Sequence, residues 1–78
     1  MRYFFDLHND IETVDGEGVD LPDLEAAQAY ARKEVQAMAA HSVGTLGHLI
    51  LRHNISVRDS AGFRVATITF GDVIRVEI

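Results

Sequence analysis

The sequence predicts an α+β fold: a two-layer sandwich in which a mainly antiparallel sheet of three or four strands carries one long helix, in the order β-β-α-(short α)-β-β. Three observations lead there. The run RYFFDLH at 2–8 is rich in aromatics and bounded by polar residues, the pattern of a strand. An alanine-rich stretch after the only proline repeats apolar residues every three or four positions. The segment NISVRDSAGFRVATITF at 54–70 holds two strand-like runs divided by a four-residue turn.

In the first strand Tyr3, Phe5 and Leu7 share one face, and Phe4, Asp6 and His8 share the other. NDIETVDGEG at 9–18 is polar and contains Asp15-Gly16 and Glu17-Gly18, which predicts a turn followed by a short second strand over 19–21. Pro22 has no N–H and keeps Leu21 out of the helix that follows. Asp23 is the N-cap, its carboxylate placed to accept from the backbone N–H of Glu25 or Ala26. Glu25 then meets the positive end of the helix dipole.

The helix is expected over 24–41, with Leu24, Ala27, Ala31, Val35 and Met38 as its buried stripe. Alanines on that stripe let it lie close to a sheet. For SVGTLGHLILR at 42–52 a short second helix capped by Ser42 is preferred, although Gly44 and Gly47 weaken it by ~1 kcal/mol each. The other reading is a connector covering the edge of the core. A hairpin closes the fold, with Asp59 and Gly62 at the first and fourth turn positions and a returning strand over 63–70. Residues 71–78 have strand composition, but Gly71-Asp72 equally suits a final turn.

Seventy-eight residues make one domain, 1–78. Without cysteine there is no disulfide framework, thiol nucleophile or thiolate metal site, which fits a reducing compartment. No apolar run approaches the ~18 residues that span a bilayer, and MRYFFDLHND does not read as a signal peptide. The expectation is therefore a cytoplasmic protein with no membrane partner. Its net charge of −5 is uneven: residues 1–25 hold eight acids against Arg2 alone, a balance of −7, and the rest sum to +2. That disfavours phosphate binding by the first third.

The motifs RYFFD at 2–6, DGEGVDLPDLEAAQAYA at 15–31 and ISVRDSAGF at 55–63 occur together in the order seen in one group. The chain resembles a family of small bacterial proteins classed as a domain of unknown function. Its pattern is R-Y-F-F-D, D-x-x-G, L-x-D-L-E-A-A-R-x-E-A and V-x-D-x-x-G. Gln28 stands where that pattern has arginine. The resemblance implies no activity and no catalytic residues. A weaker likeness, to the core of HicB-type antitoxins, is one of fold and implies a nucleic-acid- or toxin-associated regulator as the alternative function.

His8, His41, His48 and His53 could bind zinc or nickel, but no H-x-x-x-H or H-E-x-x-H spacing occurs, so they read as surface or helix-terminal residues. Asp10, Glu12 and Asp15 do not match a calcium loop, because Ile11 and Thr13 occupy needed positions. Ser42, Ser56 and Ser60 lack a nucleophile elbow, and there is no phosphate-binding or dinucleotide loop. We expect no enzyme activity, no metal and no cofactor. Arg52, Arg58, Arg64 and Arg75, with Phe63 and Phe70 as stacking platforms, could meet nucleic acid, but the net charge opposes it.

Protein–protein association remains. Apolar residues occur on both sheet faces and in the tail Val73, Ile74, Val76 and Ile78, more than one helix can cover. The expected interface comprises Tyr3, Phe4, Phe5, Phe63, Ile68, Phe70, Ile74 and Val76, and the expected partner is a second copy of the chain.

Overall fold

The computed structural model describes residues 1–77 and has the α+β architecture. Strand β1 (Arg2–His8) is followed by two-residue strands β2 (Glu12–Thr13) and β3 (Val19–Asp20), helix α1 (Leu24–Leu46), strands β4 (Asn54–Arg58) and β5 (Arg64–Thr69), and the short helix α2 (Phe70–Val73). All pairings are antiparallel. The sheet runs β2-β1-β4-β5, and β3 joins the outer side of β1 near its start. The expected second strand forms as β3, and the polar stretch 9–18, expected as a turn, adds β2, with Glu12 and Thr13 opposite His8 and Leu7.

Helix α1 begins where its N-cap was expected: the Asp23 carboxylate accepts from the Ala26 N–H at 2.8 Å. It extends past 41 to Leu46, and no separate helix forms over 42–52. Only one of the two glycines lies inside it. A single interior glycine costs about 1 kcal/mol, too little to break a long helix whose earlier turns are held by packing. Gly47 is the stop, left-handed at φ 70°, with its N–H donating to the Val43 carbonyl at 3.1 Å.

The short helix instead follows β5. Thr69 caps α2: its hydroxyl accepts from the Asp72 N–H and the Asp72 carboxylate accepts from the Thr69 N–H, both at 3.0 Å. Residues 74–77 form neither helix nor strand, and Ile78 lies outside the described residues. The turn reading of Gly71-Asp72 therefore describes this end better than the strand reading.

The core lies between α1 and one sheet face. Ala27, Ala31, Val35 and Ala39 of the helix meet Tyr3, Ile55, Val57 and Ile68, with Phe70 folded in from α2. Leu24 is exposed rather than on this stripe, and Ala39 takes the buried position beside a half-buried Met38. Three alanines on one side bring the helix axis close to the strands, so the β-branched residues fill the layer between them. Phe5 packs on Tyr30, ring centroids 4.6 Å apart.

Gly18 is the tight point of the loop before β3. Its φ is +74°, and a Cβ there would lie 2.8 Å from Arg2 Cγ and 2.9 Å from both Phe4 Cε1 and the Tyr3 carbonyl oxygen. Gly44, inside α1, has open space around it. Gly18→Ala should therefore destabilise by at least about 2 kcal/mol, whereas Gly44→Ala should stabilise by about 0.5–1 kcal/mol. Urea unfolding of the two variants beside the parent chain checks both signs.

Candidate functional site

Three places outside the core have chemistry to consider. The first is a polar knot on the sheet face away from α1. Asp6 is buried there in mid-β1, where an unpaired carboxylate would be strongly disfavoured. Arg58, across on β4, donates from Nε to Asp6 Oδ2 at 2.6 Å and from Nη2 to Oδ1 at 3.1 Å, a two-point pair. The same Nη2 donates to the Asp15 carbonyl at 3.1 Å, and the guanidinium lies 5.0 Å from the Phe4 ring centroid.

Asp15 completes the knot. Its N–H donates to Asp6 Oδ1 at 2.9 Å, and its own carboxylate accepts from the N–H groups of Glu17, Gly18 and Phe5. The Phe5 N–H faces the gap between β2 and β3, so the Asp15 side chain stands where a strand neighbour would be. Hydrogen bonds from Arg58 outweigh the effect of burial and, with the Asp15 N–H and the guanidinium charge, hold the Asp6 carboxyl below the usual carboxylate range. At Asp15 burial acts to raise the pKa, but the N–H groups of Gly18, Glu17 and Phe5 win and lower it. Each of these bonds joins two segments of the chain, so the knot braces β1, β4 and the loop before β3.

The second place is a cleft of about 380 Å³ where α1 overruns the sheet. Leu7, Met38, Ile50 and Phe70 give it an apolar floor, and Ala37 and Leu46 add to its wall. Asn9, Asp10, His41, Ser42, His48 and His53 supply the polar lining. His53 is the best fixed of the histidines: its ring stands edge-on to Phe70 at 5.8 Å, and Nε2 lies 3.7 Å from Asp10 Oδ1. His8 pairs instead with Glu12 at 3.2 Å, away from the cleft. Among the described residues no three histidine or acidic side chains converge closely enough to hold a metal ion.

The third place is the outer edge of β5, which no strand among the described residues covers. Next to it Phe63 is 71% exposed and Val65 36%. Val65 is the extra residue where the β4–β5 register shifts, so the ladder is regular from Ala66 to Thr69.

The expected interface residues are not brought together on one surface. Tyr3, Ile68 and Phe70 are core residues, and Phe5 and Ile74 pack against that core. Phe4 is half-buried beside Arg58, and Phe63 and Val76 are exposed. The candidate basic patch is likewise divided. Arg58 and Arg64 do oppose each other across the hairpin, but Arg58 is engaged with Asp6 and Phe70 is unavailable for stacking. The knot has a sequence signal in the lone acid amid RYFFDLH, since a carboxylate on a strand needs a cation opposite it.

A family model for a domain of unknown function, DUF6894, matches residues 2–71. The chain belongs to that family. No curated protein and no solved structure matches it. The matched span of the DUF6894 domain includes all five strands and α1, so knot, cleft and open edge all fall within it. Among the described residues of this DUF6894 protein, no helix is long and apolar enough to cross a membrane.

The depressed carboxyls of Asp6 and Asp15 make this domain acid-sensitive. The unfolded chain binds more protons, so their stabilisation is complete above the ordinary carboxylate value of 3.8 and is lost as pH falls through the lower folded values. Arg58→Met should cost about 2–4 kcal/mol at pH 7, because Asp6 is left buried beside an apolar side chain. The variant should also show a shallower loss of stability between pH 5 and pH 3. Urea unfolding at those three pH values tests both effects.

Proposed function

We propose that this DUF6894 domain is a non-enzymatic interaction module that associates with a second copy of itself through β5. The observation that carries the reading is the outer edge of that strand, with which no strand among the described residues pairs. An edge strand presents a row of free N–H and C=O groups and is a template for further pairing unless charge, proline or a covering element blocks it. The sequence RVATIT has no proline, and its one charge lies at the end. The bulge at Val65 bends only the first part of the strand, and the regular stretch Ala66–Thr69 remains. Antiparallel pairing of two such strands about a two-fold axis would join the sheets of two copies. It would also shelter Phe63 and Val65 from water. The other end of the sheet suits pairing less well, since β2, the Asp15 carboxylate and β3 already occupy β1's outer side.

The regulator alternative has less support, because the arginine and aromatic side chains it needs are partly engaged inside the fold. Light scattering on a size-exclusion column should give twice the 8.6 kDa mass of one chain. The double substitution Val65→Lys with Thr67→Lys should return the single-chain mass while leaving the unfolding midpoint close to the parent's. A parent chain that stays monomeric at the highest attainable concentration overturns the reading, as does a dimer indifferent to the two lysines.

A further inference from the structure

We propose that the cleft beneath the end of α1 is a binding site for a small organic cation, an ammonium group carried on a single ring or short alkyl body. This inference is independent of self-association through β5. The cleft volume of about 380 Å³ lies at the small end of ligand sites, which run from roughly 300 to 1,000 Å³. Its floor of Leu7, Met38, Ile50 and Phe70 is apolar, and its polar groups gather around that floor. That division suits a ligand with a greasy body and one polar head.

The sign of the head follows from three features. Among the described residues Asp10 is the one carboxylate in the lining, with its side chain 79% exposed and its Oδ1 3.7 Å from His53 Nε2. Among the described residues no lysine or arginine lines the cleft. Helix α1 ends over it, with Ser42 and Leu46 in the lining, and its last turn carries no basic residue to balance the negative end of the helix dipole. The imidazole rings of His41, His48 and His53 add nitrogen lone pairs that can accept from an ammonium N–H. The net charge of −5 further raises the local concentration of cations.

The test uses two probes with similar phenylalkyl bodies and opposite heads, 2-phenylethylammonium and 3-phenylpropionate, titrated into the ¹⁵N-labelled full chain at pH 8, where the two heads carry opposite charges. The ammonium probe should shift the amides of Leu7, Met38, Ile50 and Phe70 along one saturable curve, and the carboxylate probe should leave them unmoved. Asp10→Asn should weaken the ammonium probe about fivefold or more. Ala37→Phe, at an exposed helical position on the cleft wall, should abolish binding with the unfolding midpoint preserved. Equal or tighter binding of the carboxylate overturns the assignment of charge. Unsaturable shifts spread over the acidic surface, or an Ala37→Phe chain that still binds, overturn the site itself.

Discussion

Asp6 sits in the middle of a strand that the sheet cannot do without, on a face where water reaches it poorly. A carboxylate so placed must be matched, and the match is made by Arg58 fifty-two residues later in the chain. The pair ties β1 to β4, the two central strands, and its remaining hydrogen-bonding capacity reaches Asp15. Asp15 in turn gathers three backbone N–H groups, shaping the loop that leads to Gly18 and β3. Much of the polar, acidic stretch read from the sequence as a turn is therefore held by one buried charge and its partners. The negative balance of the first twenty-five residues is partly structural.

The opposite face obeys a different constraint. Ala27, Ala31 and Ala39 leave no room between helix and sheet, so Val35, Ile55, Val57 and Ile68 complete the layer at close-packed density. A helix of twenty-three residues is longer than the strands it crosses, and its last turns project beyond them. The cleft lies there, lined by Met38 and Ser42 of the helix, by Leu7 of β1, and by His48, Ile50 and His53 of the returning chain.

The two edges of the sheet differ as well. On the β1 side, short strands and a side-chain carboxylate fill the hydrogen-bonding positions and leave little for another chain to pair with. On the β5 side no strand among the described residues pairs with the outer edge, and two exposed apolar side chains stand beside it. The proposed association uses that one edge, whereas the interface expected from the sequence drew on apolar residues of both faces and the tail. Tyr3, Ile68 and Phe70 belong to the interior, and the helix-averted face is occupied chiefly by Asp6, Ser56 and Arg58 with Phe4 beneath them.

Local chemistry made much of the fold legible. The alternation in RYFFDLH, the Pro22-Asp23 start of the helix, and the Asp59–Gly62 turn are decided by neighbours within a few residues, so they can be read without the rest of the molecule. The Thr69–Asp72 cap belongs to the same class, although the strand-like composition around it obscured it. Other features depended on residues far apart in the chain. Whether α1 stops at 41 or 46 turned on a contest between one glycine and cooperative helix growth. Which aromatics are buried turned on which face the helix chose. The bond between Asp6 and Arg58, the filling of β1's edge by Asp15, and the meeting of three histidines at one cleft arise only when separate segments pack, because burial and charge pairing are properties of the assembled chain rather than of any short stretch within it.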